Sequence, residues 1–167
     1  NLVAANTIEV NGEKYIGKNI ILATGSYPKT LPGLEIDGTV IITSEAAINL
    51  DRVPKSVIVL GGGVIGCEFA SVWKSFGAEV TIIEGLPHLV ALEDESSSKQ
   101  LERAFRKRGI NFELGIKFKS ATKSKSGVEV TLEDGKTFTA EVLLVAVGRG
   151  PVSTNIGYEE QGIKMER

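Results

Sequence analysis

The feature that most constrains this chain of 167 residues is a glycine-rich segment, Gly61-Gly62-Gly63-Val64-Ile65-Gly66, which fits the pattern G-x-G-x-x-G. It directly follows the apolar run 57–60, which is typical of a buried strand. After it, apolar residues recur from Ile65 to Phe76 with the spacing of one helix face. A strand, a glycine turn and a helix in this order form the context in which the pattern predicts dinucleotide binding.

Three glycines of the segment have a predicted role. Gly61 makes the tight turn, Gly63 allows a pyrophosphate to approach the backbone where a Cβ would collide, and Gly66 lets the helix pack closely on the strand. The pyrophosphate is then expected to lie on free N–H groups at the positive end of the helix dipole.

An acidic residue follows at the spacing that such a site requires. Glu84 ends the next strand-like segment, 80–83, and lies 18 residues after Gly66. That spacing is close to the roughly 20 residues typical of an acid that binds the adenosine ribose. Its carboxylate would accept hydrogen bonds from the ribose hydroxyls and repel a 2′-phosphate, by about 1 kcal/mol per charge pair even in water. No arginine occurs at 85–88 to offset this repulsion, so the sequence predicts NAD rather than NADP.

The remaining patterns predict an α/β domain built on a Rossmann-like, largely parallel sheet that ends in a β-meander. An amphipathic helix is expected at residues 96–108, and a short helix at 45–50 capped by Ser44. Further strands are predicted at 20–23, 111–114, 117–121, 128–132, 137–140 and 142–147. The runs 20–23 and 142–147 are apolar enough to be buried strands.

Two segments of the chain resemble each other: a first copy at residues 11–28 and a second copy at 134–151. In each, a turn containing glycine leads through a return strand to an apolar run that closes in Ala-x-Gly, and the two glycines are 13 residues apart. In the first copy the turn is Asn11-Gly12, which predicts a type I′ hairpin. The equal spacing favours two related domains, one nearly complete and one lying mostly outside the chain. The alternative is coincidence, because a hairpin followed by a buried strand is a common arrangement. A methyltransferase-type nucleotide site, which competes as an interpretation of the glycine turn, lacks these repeated units.

Composition limits the other classes of function. Lys and Arg total 19 and Asp and Glu total 21, so the chain lacks the bulk positive charge of a nucleic-acid binder. A single cysteine, Cys67, and a single histidine, His88, argue against a disulfide framework and a metal site, and no run of 18 apolar residues predicts a membrane span. We expect Cys67 to be a small buried residue, His88 to be a loop residue without a catalytic partner, and the basic residues at 99–108 to be a solvated helix face. Because the sequence starts at Asn1 without Met, we expect it to be a piece of a longer protein.

Several motifs occur in order: Ala23 to Ser26, Gly61 to Trp73, Gly77 to Thr81, Glu84, and Val145 to Arg149. With them the chain resembles the pyridine nucleotide–disulfide oxidoreductases, and within that family the dihydrolipoamide dehydrogenases. The resemblance implies an NAD-binding domain at residues 29–149. It also implies that 1–28 is the C-terminal piece of the first FAD-domain segment and that 150–167 starts the return segment to the FAD domain.

The resemblance also implies which residues contact the cofactors NAD and FAD. Glu84 would bind the adenosine ribose, Phe118 would lie beside the adenine, and Gly148 would touch NAD from the end of the last strand. The residues that would hold the NAD pyrophosphate and approach the nicotinamide are Gly61, Gly62, Gly63, Val64, Ile65, Gly66, Cys67 and Glu68. The residues that would contact FAD are Thr24, Gly25 and Ser26. For Glu68 a second interpretation stays open, that of an acid that stabilises the start of the helix.

In this family, electrons pass from dihydrolipoamide to a redox-active cysteine pair, then to FAD, and then as hydride to NAD. The resemblance therefore implies a homodimeric oxidoreductase of 2-oxo acid dehydrogenase complexes, located in the cytoplasm or, in a eukaryote, in the mitochondrial matrix. The chain contains no C-x4-C pair and no catalytic His–Glu pair, so we expect no catalytic residue within it and no turnover by the chain alone. The alternatives are a flavin-dependent NADH oxidase, a transhydrogenase, another disulfide reductase, or a non-catalytic dinucleotide-sensing module.

Overall fold

The computed structural model describes residues 1–165. Its strands are β1 (Leu2–Ala4), β2 (Thr7–Val10), β3 (Glu13–Ile16), β4 (Ser26–Pro28), β5 (Ile41–Thr43), β6 (Ser56–Leu60), β7 (Glu79–Glu84), β8 (Asn111–Leu114), β9 (Phe118–Ser124), β10 (Gly127–Leu132), β11 (Thr137–Ala140), β12 (Val142–Val145) and β13 (Arg149–Pro151). Its helices are α1 (Ser44–Ala47), α2 (Val64–Ser75) and α3 (Glu95–Lys107). The chain divides into two compact units: Asn1–Tyr27 together with the residues from Arg149 onward, and Pro28–Gly148.

In the smaller unit, β1, β2 and β3 form an antiparallel sheet, and β4 pairs with β13. The hairpin between β2 and β3 closes at the predicted turn, since Val10 pairs with Glu13 across it. The φ angle is 52° at Asn11 and 84° at Gly12, so both central residues have the left-handed conformation of a type I′ turn. This prediction is confirmed.

The apolar run at residues 20–23 does not form the buried strand predicted for it. Ile20, Ile21, Leu22 and Ala23 belong to no strand, and 89% of the surface of Ile21 is exposed. A strand needs a neighbour that takes up its backbone hydrogen bonds, and the described residues place none beside this run. The prediction was wrong because it rested on side-chain polarity, which does not supply that neighbour.

The larger unit is built on a five-stranded sheet in the order β5-β12-β6-β7-β8, with all neighbouring strands parallel. Alternate residues of its strands face opposite sides, as the pleat requires. Val57 and Val59 pack with residues of α2 and α3, such as Trp73 and Phe105. The residues between and beyond them, Ile58 and Leu60, pack under the antiparallel meander β9-β10-β11. The result is three layers, with helices on one face of the parallel sheet and the meander on the other. The predicted α/β domain with a Rossmann-like parallel sheet and a β-meander is confirmed.

Two helices differ from their predicted bounds. The short helix α1 ends at Ala47 rather than Leu50, and it begins at Ser44, which therefore is not its cap; Thr43 precedes it without a side-chain capping bond. Helix α3 begins one residue earlier than predicted, because the side chain of Asp94 accepts a hydrogen bond of 2.9 Å from the Ser96 N–H and caps it. None of the helices described is long and apolar enough to cross a bilayer.

Candidate dinucleotide-binding site

A crevice opens where three neighbouring strands of the parallel sheet end. In the sheet, β6 lies between β12 and β7. From β6 the chain continues through α2 to β7 and then to β8 on one side of β6, while β12 and β5 lie on its other side. This reversal of strand order is the switch point at which open α/β sheets bind their ligands. The crevice holds a cavity of about 590 Å³. Its lining includes Leu60, Gly61, Gly63, Val64, Ile65, Glu84, Gly85, Val90, Lys117, Phe118, Ala146, Val147 and Gly148.

The glycines of the turn serve different purposes. At Gly61, φ is 109° and a Cβ would collide with the carbonyl oxygen of Ala146, while at Gly66 a Cβ would collide with the carbonyl oxygen of Gly61. These two positions require glycine for the fold itself. At Gly63, by contrast, a Cβ would meet no atom within 4 Å, and the residue lines the cavity. A side chain at Gly63 would therefore displace only what the cavity binds.

The cavity faces the amino end of α2. Helix α2 starts at Val64 with Gly63 as its N-cap, and neither a capping side chain nor an acidic residue occupies its first turn. Val64 and Ile65 line the cavity with that first turn. Backbone N–H groups at a helix start have no partner within the helix, and the helix dipole gives them a positive potential. The arrangement suits the two negative charges of a pyrophosphate.

Glu84 reaches the crevice with a carboxylate that the backbone holds in place. Its Oε2 accepts a hydrogen bond of 2.6 Å from the Gly62 N–H, and its Oε1 accepts one of 2.8 Å from the Leu86 N–H. A carboxylate oxygen has two acceptor positions, so each oxygen retains one for a further donor. The carboxylate is thus oriented before any ligand binds, and it remains able to accept bonds from the two hydroxyls of a ribose.

Two more residues with predicted contacts line the same cavity. Phe118 begins β9, and Gly148 follows β12 with φ at 116°. The carbonyl of Gly148 accepts a hydrogen bond of 2.9 Å from the Lys29 N–H, which fixes the strand end. Lys117 also lines the cavity, although the sequence analysis missed it. Its position directly before Phe118 was the available signal, since the meander starts at the carboxyl edge of the sheet.

Cys67 and Glu68 do not line this cavity. Cys67 is buried, and its thiol donates to the carbonyl of Gly62 at 3.3 Å. Burial, and to a lesser degree the negative charges of Glu84 and Glu68, raises the pKa of this thiol to about 11, so it stays protonated at neutral pH. The prediction of a small buried residue is confirmed. Glu68 is exposed and lines a separate groove with Phe69 and Trp73.

Thr24, Gly25 and Ser26 lie in the smaller unit. The Thr24 hydroxyl donates to the carbonyl of Val152, and the Val152 N–H donates to the carbonyl of Gly25 at 2.9 Å. The guanidinium group of Arg149 donates to the hydroxyl of Ser26 at 2.7 Å and to its carbonyl at 2.6 Å. These hydrogen bonds join the segment 24–26 to Arg149 and Val152.

His88 lies in the loop between β7 and α3, as predicted, but it has a partner that the sequence did not indicate. Its Nδ1 lies 3.3 Å from Oε1 of Glu102, so the loop residue has a buried carboxylate as its partner. Sequence reasoning missed this pair because the two residues belong to different elements. Within residues 1–165, no group of three or more His, Cys, Asp or Glu side chains is arranged to hold a metal ion.

Comparison with known proteins identifies relatives. Among curated proteins, the dihydrolipoamide dehydrogenase of Chaetomium thermophilum is 43% identical over 168 residues, covering 95% of this chain and 33% of its own length. The dihydrolipoyl dehydrogenase of Bacillus subtilis is 41% identical over 164 residues, covering 93% and 35%. The chain therefore spans about a third of the length of the curated relatives it matches.

Solved structures and a family profile agree with these relatives. LpdA of Mycobacterium tuberculosis superposes with a TM-score of 0.84 at 31% identity, covering 96% of this chain and 35% of that one. The HOCl-induced flavoprotein disulfide reductase RclA of Escherichia coli superposes with a TM-score of 0.85 at 28% identity, covering 98% and 38%. The profile described as pyridine nucleotide-disulphide oxidoreductase matches residues 1–167. With the glycine turn, the strand-end acid and the three-layer fold in agreement, the chain belongs to the pyridine nucleotide-disulphide oxidoreductase family.

Proposed function

We propose that this chain is the NAD-binding portion of a flavoprotein dihydrolipoamide dehydrogenase, with the NAD-binding domain at residues 29–149. One observation carries the proposal: the open space at Gly63 and the oriented carboxylate of Glu84 face the same cavity, which begins at the amino end of α2. A dinucleotide has a diphosphate next to a ribose, and this cavity offers an anion site next to a diol acceptor.

The chain's own residues bind and orient NAD in this proposal. Glu84 accepts hydrogen bonds from the adenosine ribose, Phe118 contacts the adenine, and Gly148 lets the chain approach the cofactor closely. The backbone segment that holds the pyrophosphate and leads toward the nicotinamide comprises Gly61, Gly62, Gly63, Val64, Ile65, Gly66, Cys67 and Glu68. When bound, NAD supplies a hydride acceptor. The protein supplies the orientation of that acceptor.

The smaller unit is proposed to belong to an FAD-binding domain, with residues 1–28 and 150–167 as its pieces. Thr24, Gly25 and Ser26 are the proposed FAD contacts. Support comes from the hydrogen bonds that join this segment to Arg149 and Val152 within one unit. At Gly25, where φ is 79°, a Cβ would meet no atom within 4 Å, so the backbone is open to a close ligand.

For the whole protein we propose oxidation of dihydrolipoamide, with electrons passing through FAD to NAD, in a homodimer that serves 2-oxo acid dehydrogenase complexes. The names of the relatives support this activity. We propose a cytoplasmic location, or the mitochondrial matrix in a eukaryote, because relatives such as the one from Schizosaccharomyces pombe are named mitochondrial. A second candidate is a different disulfide reductase, favoured by the similarity to RclA.

The proposal is tested by calorimetric titration of the full-length protein with NAD and with NADP. We expect NAD to bind at least tenfold more tightly, because Glu84 repels a 2′-phosphate. The double variant Glu84→Ser, Leu86→Arg should shift the preference toward NADP. Gly63→Val is the control for the site, since it should abolish binding while the circular dichroism spectrum stays unchanged. Equal affinities for the two cofactors, or an unaltered preference in the double variant, would refute the role of Glu84.

A further inference from the structure

A buried carboxylate of α3 lies beside the wall of the cavity. The side chain of Glu102 is only 8% exposed. Its Oε1 accepts a hydrogen bond of 3.2 Å from the Leu89 N–H and lies 3.3 Å from Nδ1 of His88, while its Oε2 lies 3.5 Å from the guanidinium group of Arg106. A carboxylate loses hydration when it is buried and needs such partners to remain there. The contacts with Leu89, His88 and Arg106 therefore stabilise the buried carboxylate.

The residues that Glu102 holds belong to the loop between β7 and α3. Leu89 is fully buried, and its side chain occupies the space next to Gly62, where a Cβ would come within 2.7 Å of it. The next residue, Val90, donates its N–H to the carbonyl of Gly62 at 2.8 Å and accepts a hydrogen bond of 3.3 Å from the hydroxyl of Ser98. Hydrogen bonds from α3 therefore hold this segment on one side, and the hydrogen bond to the glycine turn holds it on the other.

Val90 shows that the segment is constrained. Its φ is 45°, a left-handed conformation that is unfavourable for a β-branched residue. Such a conformation persists only where surrounding contacts enforce it, and it is concentrated at functional sites. Here the enforcing contacts are the bonds to Gly62 and Ser98, together with the bond from Leu89 to Glu102.

These contacts lead directly to the proposed ribose acceptor. Gly62 accepts from Val90 through its carbonyl and donates to Glu84 through its N–H. One peptide segment therefore joins the clamped loop to the carboxylate that faces the cavity. A shift of Leu89 and Val90 would move the Gly62 peptide and with it the orientation of Glu84.

We propose that Glu102, assisted by Ser98, is a positioning residue of the dinucleotide site. It holds Leu89 and Val90 against Gly62, and so keeps the glycine turn and Glu84 in the arrangement that binds NAD. This inference rests on the proposed function, because it assumes that the cavity takes NAD.

The test compares three variants of the full-length protein by titration with NAD. Glu102→Leu removes the acceptor of the Leu89 N–H while filling similar space, and we expect the dissociation constant to rise about tenfold. Glu102→Gln retains an acceptor oxygen and should stay within about twofold of the unaltered protein. Phe105→Leu, a buried change one turn further along α3, is the matched control: the melting temperature should fall while the affinity stays unchanged.

Amide hydrogen exchange supplies a readout that does not depend on NAD. In Glu102→Leu the amides of Leu89 and Val90 should exchange faster, while those of β6 keep their protection. Unchanged affinity and exchange in Glu102→Leu, or a loss in Glu102→Gln as large as in Glu102→Leu, would overturn the positioning role alone. If the unaltered protein fails to bind NAD, the proposed function falls, and this inference falls with it.

Discussion

The two copies of the hairpin-plus-strand pattern fold differently in their apolar runs. In the second copy, the apolar run forms β12, and Leu144 is completely buried between two parallel neighbours, β5 and β6. In the first copy, the equivalent run at residues 20–23 forms no strand, and the residue matching Leu144, Ile21, is 89% exposed. The two runs have nearly the same apolar character, so polarity is not what separates them.

The difference teaches that a buried strand is made by its neighbours. The neighbours of β12 come from distant segments, since β5 and β6 lie about 80 to 100 residues earlier in the chain. Each contributes backbone hydrogen bonds and a share of the two apolar layers that cover the sheet. The described residues offer no such neighbours to the first copy. The context dependence of strand formation is therefore visible within one chain.

The hairpins of the two copies, by contrast, both form, because a hairpin is a local structure. Their turns differ by one residue. The first is the two-residue type I′ turn at Asn11-Gly12, while the second joins Leu132 to Lys136 through three residues and places only Gly135, at φ 87°, in the left-handed region. A three-residue loop with glycine at that position is the next most common hairpin connection.

The largest effect is expected from matched truncations in the two apolar runs. Leu144→Ala should lower the free energy of unfolding by about 3 kcal/mol, because it leaves a cavity in a fully packed sheet. Ile21→Ala should change it by less than about 0.5 kcal/mol, because the side chain is exposed. Urea unfolding of the 167-residue chain measures both.

The comparison becomes sharper in the full-length protein. If an FAD-binding domain supplies strands on both sides of residues 20–23, Ile21→Ala should there cost as much as Leu144→Ala. If Ile21→Ala lowers the free energy of unfolding of the 167-residue chain as much as Leu144→Ala does, Ile21 is already packed there. That result would refute the contrast between the two runs.

An intermediate effect is expected at the closing glycines of the copies. Both are left-handed, with φ at 116° for Gly148 and 79° for Gly25, so alanine introduces strain at each. Only Gly148 lines the cavity. Gly148→Ala should raise the dissociation constant of NAD about tenfold, and Gly25→Ala should leave it within about twofold. Calorimetry measures both, and equal losses would indicate that Gly148 acts through stability rather than through contact.

The smallest effect is expected at the turns. Asn11→Ala should cost about 1 kcal/mol, because alanine disfavours the left-handed conformation that Asn11 adopts. Asp134→Ala should cost about 0.5 kcal/mol, since it removes the hydrogen bond of 3.0 Å from the Lys136 N–H and an exposed ion pair of 3.7 Å with the Lys136 ammonium group, and an exposed pair contributes little. Amide exchange in each hairpin reports these costs separately. A larger cost at Asp134 would contradict the assignment of the two turn types.

Much of the candidate site could be predicted because its parts are close in sequence or set by a fixed spacing. The turn at Gly61–Gly66, the helix that follows and the acid at Glu84 belong to one strand-helix-strand unit. Three features were not predicted: the cavity-lining residue Val90, the buried carboxylate of Glu102, and strand β5. Strand β5 has only three residues, Ile41–Thr43, too few for a periodic pattern to appear.

The sequence by itself determined what depends on a residue and its close neighbours: the left-handed hairpin turn, the helix faces, and the glycines that a tight strand-to-helix turn demands. These follow from backbone sterics and side-chain periodicity, which act over a few residues. Only the tertiary structure decided which apolar run becomes a strand and which buried carboxylate supports the cavity wall. Those outcomes depend on contacts with residues that are distant in the sequence, and local conformational preferences do not determine such contacts.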